Sequence, residues 1–123
     1  MNTHLHIMEA YANLYRVSHD KTVGDRLRNL VDLFLDKIVS KKTSHLICFL
    51  DRNWNPVSDV DSYGHDIESS WLLYEAAGLL GDEKLMARAK ETCLKIADAA
   101  SEGIQADGGM ITEKDNSTGR KSI

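Results

Sequence analysis

His65-Asp66-Ile67-Glu68-Ser69-Ser70-Trp71-Leu72-Leu73-Tyr74-Glu75-Ala76-Ala77-Gly78-Leu79-Leu80 is the stretch that decides the fold. Drawn as a helix at about 100° per residue, it carries Ile67, Trp71, Leu72, Leu73, Tyr74, Ala76, Ala77, Leu79 and Leu80 around nearly its whole circumference. A helix that is apolar all round must be covered on all sides. The segment from about Asn2 to Val17 has the same character, through Leu5, Ile7, Met8, Ala10, Tyr11, Ala12, Leu14, Tyr15 and Val17. Two other segments differ. From about Thr22 to Val39, Leu27, Leu30, Val31, Phe34, Leu35 and Ile38 form one stripe opposite Asp25, Arg28, Asn29, Asp32 and Asp36. From about Glu83 to Ala100, Leu85, Met86, Ala89, Cys93, Ile96 and Ala97 oppose Lys84, Arg88, Lys90, Glu91 and Lys95. Thr22 with Asp25 makes a capping pattern for the second helix, Gly81 suits the end of the third, and Asp82 the cap of the fourth.

The order is buried, amphipathic, buried, amphipathic. Two concentric layers of helices satisfy it, with the first and third inside and the second and fourth outside. A simple four-helix bundle would present four amphipathic helices instead. The expected class is all-α: two helical hairpins, with extended chain and a short β-hairpin in His45 to Pro56 between them. Residues from about 105 to 123 are Gly-rich and polar. They are expected to be loop-like apart from a short hairpin around Met110-Ile111-Thr112.

The bulk numbers exclude several classes. A length of 123 residues suits one domain. The formal net charge is -4 with lysines and arginines scattered, so no nucleic-acid partner is expected. No apolar run approaches the roughly 20 residues that cross a bilayer, so no membrane partner is expected either. Met1-Asn2-Thr3-His4 does not open a secretory signal. Cys48 and Cys93 read as reduced thiols of a cytoplasmic protein.

The two apolar helices also carry polar residues in a repeat. An offset of 59 residues (65 minus 6) pairs His6, Glu9, Leu14 and Tyr15 with His65, Glu68, Leu73 and Tyr74. Each inner helix therefore begins with His-x-x-Glu. Asn2, His6, Glu9 and Asn13 share one narrow arc; His65, Glu68 and Glu75 share another, bordered by Trp71. Buried ionisable groups need partners, so two such stripes suggest a polar cavity between the helices. The bland alternative is a set of hydrogen-bonded core residues bridging helices in a non-catalytic helical module. A metal is not expected: His4 and His6 diverge by about 200° on a helix, and the apolar inward stripes of the second and fourth helices add no carboxylates to the His-x-x-Glu pairs. No CxxC, phosphate loop or nucleophile motif is present.

The residues do carry a resemblance. Asn2-Thr3-His4-Leu5-His6-Ile7-Met8-Glu9-Ala10-Tyr11 with Asn13-Leu14-Tyr15, and Ser62-Tyr63-Gly64-His65-Asp66-Ile67-Glu68 leading into Trp71-Leu72-Leu73, resemble two signatures of the family of N-acylglucosamine and cellobiose 2-epimerases. Asn53-Trp54-Asn55-Pro56 and Asp107-Gly108-Gly109 with Glu113 resemble it too. The resemblance implies an (α/α)6 barrel with its active site at one end of the inner helices. It implies epimerisation at carbon 2 of a reducing-end sugar, a disaccharide or an N-acylhexosamine, without a cofactor. By motif position Asn2 and His6 would lie in the pocket, His65 would be an acid/base residue, Glu68 would hold and tune it through a ring nitrogen, and Trp71 would line the sugar site. Imidazole suits proton removal and return because its unperturbed pKa of about 6.5 lies near working pH. An aldose–ketose isomerase of the same superfamily would share the enediolate. Members of the family have helices before and after the matching region, with a pocket arginine, a further histidine and tryptophans. The sequence is thus expected to be an internal segment of such a barrel, inactive alone and prone to associate through its first and third helices.

Overall fold

A computed structural model describes residues 1–123. Helix α1 spans Asn2–Ser18 and ends on His19, whose left-handed backbone (φ 50°) reverses the chain. Helix α2 spans Lys21–Leu33. Its cap is Asp20, two residues before the expected Thr22: the Asp20 carboxylate accepts from Val23 N at 3.0 Å, while Lys21 and Asp25 pair on the surface at 2.7 Å. The last turn of this helix widens over Phe34–Ile38, where Val39 N reaches back five residues to Phe34 O at 3.0 Å. Helix α3 spans Tyr63–Leu79 and helix α4 spans Glu83–Ser101. Gly81 (φ 68°) makes the turn between them. Asp82 caps α4 as expected, accepting from Leu85 N at 3.0 Å and from Arg28 of α2 at 2.9 Å.

The core lies where the four helices meet. Leu5, Met8 and Ala12 of α1, Leu27 and Val31 of α2, Leu72, Leu73, Ala76 and Ala77 of α3, and Leu85, Ala89 and Ile96 of α4 form one buried cluster. A fully buried side chain of this kind contributes about 1.5–3 kcal/mol. Gly24 permits the α1–α2 approach, because a Cβ there would stand 2.8 Å from the Tyr15 ring. The amphipathic pattern holds: α2 and α4 bury their apolar stripes and expose Asp25, Asn29, Arg88, Lys90, Glu91 and Lys95. The inner helices are covered on one side only. Ile7 and Leu14 of α1, and Ile67, Trp71 and Tyr74 of α3, are exposed.

Residues 45–56 are extended, as expected, but they are held by two isolated antiparallel bridges, Val39↔Leu46 and Leu50↔Pro56, in place of a continuous ladder. The longer pairing lies elsewhere. Strand β1 (Val60–Ser62) pairs antiparallel with β2 (Glu113–Asp115), and β2 pairs with β3 (Lys121–Ser122). The C-terminal stretch read as loop-like is therefore a hairpin docked on the entry to α3, and it starts just after Met110-Ile111-Thr112. Asp115 makes its turn, accepting from Ser117 N at 2.9 Å and Thr118 N at 3.2 Å. No helix is long and apolar enough to cross a membrane.

Candidate active site

Helices α1 and α3 pack side by side and run parallel. Toward their C-terminal ends, Arg16 donates to Glu75 Oε1 at 2.6 Å. At the other end the Met1 amino group donates to Cys48 O at 3.1 Å, and the Cys48 thiol feels both that amino group and Asp66 in the first turn of α3. Arg16 and Glu75 are 59 residues apart (75 minus 16), the same offset as the sequence repeat. Arg16 and Glu75 thus occupy equivalent positions of the repeat and meet across the two helices.

The two histidines have different partners. His6 Nδ1 bonds Glu9 Oε2 at 3.2 Å on an open surface, with the His6 side chain 51% exposed. His65 Nδ1 bonds the Ser62 hydroxyl at 2.8 Å. Glu68 makes no hydrogen bond to His65, so the expected Glu68 hold on the ring is replaced by Ser62. Ser62 is the N-cap residue of α3, a position where serine oxygen ordinarily accepts from the second or third amide of the helix. Here it makes no capping bond. The first amide of the helix, Tyr63 N, is instead satisfied by Thr112 O at 3.1 Å across the docked hairpin.

Behind His65 lies a buried polar cluster absent from the sequence expectations. Asp66 is fully buried; its Oδ2 bonds His45 Nδ1 at 2.6 Å and its Oδ1 accepts from Leu46 N at 2.8 Å. The other ring nitrogen of His45 faces Glu102 at 3.6 Å and Asp61 at 3.9 Å. Tyr63 packs edge-on against the His45 ring. The hydrogen bond to Asp66, aided by three carboxylate charges, raises the His45 pKa above its ordinary value against the opposing effect of burial. Burial raises the Tyr63 phenol too. A signal for this cluster was present: an aspartate inside a helix read as apolar all round needs a buried partner. The sequence alone does not say that a histidine 21 residues earlier supplies it.

An open cleft of about 530 Å³ sits over this helix entry, lined by Ser62, His65, Glu68 and Trp71 together with Thr112 and Glu113 from the docked hairpin. The structure brings together His65, Glu68 and Trp71 as expected. Asn2 and His6 lie on the exposed side of α1, outside the lining of that cleft. Glu113 enters through strand register, since β1–β2 pairing sets it opposite Ser62. The cleft thus offers an imidazole, two carboxylates, a threonine and an indole face, a set suited to a polyhydroxylated, uncharged ligand. Neither cysteine belongs to it. Both are buried and unpaired, and burial pushes their thiols to about 11 for Cys48 and about 12 for Cys93, which leaves them protonated and inert.

The profile of the family described as N-acylglucosamine 2-epimerase (GlcNAc 2-epimerase) matches residues 1–120. A cellobiose 2-epimerase of Bacteroides fragilis is 56% identical over 119 residues, covering 97% of this chain and 30% of that protein. One from Dictyoglomus turgidum is 41% identical over 114 residues, covering 93% and 29%. The solved cellobiose 2-epimerase of Bacillus thermoamylovorans superposes with a TM-score of 0.90 at 38% identity, over 99% of this chain and 31% of that one. A sugar epimerase from a ruminal bacterium superposes with a TM-score of 0.91 at 36% identity. The chain spans about three tenths of the length of these relatives, and its two hairpins have the (α/α)6-barrel form.

Proposed function

The chain belongs to the N-acylglucosamine 2-epimerase family, and from that premise we propose that residues 1–123 supply two hairpins of the barrel of a cellobiose 2-epimerase-like enzyme, with His65 as a proton-transfer residue. In the open-chain sugar the aldehyde acidifies the proton on carbon 2. His65 takes that proton, the electron pair moves into the enediolate, and return of a proton to the opposite face of carbon 2 inverts the centre. No atom is gained or lost. Glu68, free of protein partners beside His65, accepts from a sugar hydroxyl. Trp71, 56% exposed in the cleft, offers a flat apolar surface to the sugar ring. His6 and Asn2, exposed on the neighbouring helix outside that cleft, bind or polarise the sugar oxygens once the barrel is complete.

The observation that carries this proposal is the convergence of His65, Glu68 and Trp71 on one open cleft at the N-terminal end of α3. A test is available that does not depend on the length of this chain. Residues 1–120, the stretch that matches the family profile, would replace the corresponding segment of the Bacteroides fragilis relative. The chimera is expected to epimerise cellobiose and to exchange the carbon-2 proton with solvent deuterium. His65→Asn should lower that exchange by roughly a hundred- to ten-thousandfold, the usual worth of a general acid/base. A folded His65→Asn chimera that turns over normally would remove His65 from the chemistry. The 123-residue chain alone is expected to turn over negligibly, and to self-associate through the exposed faces of α1 and α3, read by sedimentation.

A further inference from the structure

We propose that Ser62 is the positioning residue of His65: an N-cap serine withdrawn from capping so that its hydroxyl holds the imidazole in one orientation through both of its protonation states. This rests on the assignment of His65 to proton transfer.

Three observations carry it. Ser62 stands where a serine oxygen normally accepts from the first-turn amides, yet its only side-chain hydrogen bond goes to His65 Nδ1 at 2.8 Å. It is 2% exposed and clamped by strand pairing on one side and the helix on the other, so its oxygen has little freedom to move. Nδ1 being occupied, Nε2 is the ring nitrogen without a protein partner, and His65 lines the open cleft.

The chemistry of the partner matters. A carboxylate on Nδ1 accepts only, which fixes one tautomer and strengthens the base. A hydroxyl both donates and accepts. When Nε2 takes a proton from carbon, the imidazolium Nδ1–H donates to Ser62 Oγ. When the proton has left Nε2, the neutral ring keeps Nδ1–H and goes on donating to Ser62; in the other neutral tautomer, protonated at Nε2, Nδ1 accepts from the serine hydroxyl, and neither state displaces a heavy atom. A residue that serves as base in one direction of an epimerisation and as acid in the other gains from such a partner.

The test reads the ring directly. The 123-residue chain, labelled with nitrogen-15 in histidine, is compared with Ser62→Ala and Ser62→Thr at about pH 8, above the ordinary imidazole pKa of about 6.5. His19, exposed and without a ring hydrogen bond, is the internal reference. In the parent the His65 nitrogen shifts should differ from those of His19. Ser62→Ala should bring them to the His19 pattern and Ser62→Thr should restore them, with the thermal midpoint little changed because no capping bond is lost. Unchanged His65 shifts in Ser62→Ala, or a lowered midpoint with unchanged shifts, would overturn the proposal and return Ser62 to an ordinary cap. In the chimera, Ser62→Ala should lower kcat about ten- to a hundredfold, as loss of an orienting partner does, with KM nearly constant and recovery in Ser62→Thr. An inactive chimera whose His65 ring still responds to Ser62 would discard the epimerase assignment and leave the pairing standing. An active chimera with an unresponsive ring would do the reverse.

Discussion

Helices α1 and α3 open with the same His-x-x-Glu and pack side by side, yet they are held in different ways. The entry to α1 is secured by the Met1 amino group on Cys48 O and by His4 edge-on to Trp54; its His6 and Glu9 pair with each other in solvent. The entry to α3 is enclosed from behind. The position equivalent to Ile7, which is 41% exposed, is Asp66, which is 0% exposed (66 minus 59 is 7). Asp66 ties the first turn of α3 to the 45–46 segment, and β1–β2 pairing ties residues 60–62 to the hairpin. A repeat can thus supply two like histidines while the rest of the fold immobilises one of them. Proton transfer demands a fixed ring near a reacting carbon, whereas binding a sugar hydroxyl tolerates a side chain that adjusts.

The largest expected effect tests that division. In the chimera His65→Asn should cost about two to four powers of ten in kcat, while His6→Asn should act mainly on KM with a smaller loss of kcat. Steady-state kinetics on cellobiose distinguish them. Equal losses of kcat from both substitutions would mean that anchoring does not decide which histidine moves the proton.

Next comes the anchor itself. Asp66→Ala leaves His45 buried among the remaining carboxylates without its closest partner, and removing one member of a buried pair costs about 3–5 kcal/mol. Ile7→Ala, at the equivalent position of α1, should lie within about 0.5 kcal/mol, as surface changes do. Urea midpoints of the two variants give the comparison, and similar values would show that Asp66 is not the anchor of α3. The cluster should also respond to pH. His45 has a raised folded-state pKa, caused first by its hydrogen bond to Asp66. Its contribution is therefore fully present below the unfolded value of about 6.5 and is lost as pH rises through the higher folded value. His4 works in the opposite sense: burial lowers its pKa, so the fold favours its neutral ring and its contribution grows as pH rises. His45→Gln should remove the decline of stability above about pH 6.5 and leave the His4 rise. A decline that persists in His45→Gln would place its origin elsewhere.

Much of the frame was legible in the residues. Periodicity distinguished the inner from the outer helices because burial on all sides and burial on one side leave different stripes, and the Asp82 cap followed from residue chemistry. The convergence of His65, Glu68 and Trp71 followed from their spacing on one helix face. What was not legible depends on pairings between distant segments. The β1–β2 register that sets Glu113 opposite Ser62 joins residues about fifty apart, through strands of three residues each, too short to show alternation. The His45–Asp66 bond has the same origin. The Ser62–His65 bond was hidden for another reason: an N-cap serine reads as a cap, and only the folded arrangement turns its oxygen away from the amides.

The smallest expected effect tests the open side of the comparison. His6 Nδ1 and Glu9 Oε2 meet at 3.2 Å, three residues apart, with side chains 51% and 42% exposed. Solvent screens such a pair and side-chain entropy opposes it, so exposed pairs contribute about 0–1 kcal/mol. Glu9→Gln should therefore shift the urea midpoint of the chain barely beyond measurement error, and the His6 ring should remain as mobile as in the parent. In the Glu9→Gln protein its nitrogen-15 shifts should lie close to those of His19 and differ little from the parent, unlike the response of His65 to Ser62→Ala. A clear loss of stability, or a His6 ring that changes tautomer when Glu9 is neutralised, would show that α1 pins its histidine as firmly as α3 does. The asymmetry assigned to the two helices would then lie in the sugar-binding groups around them and not in how the rings are held.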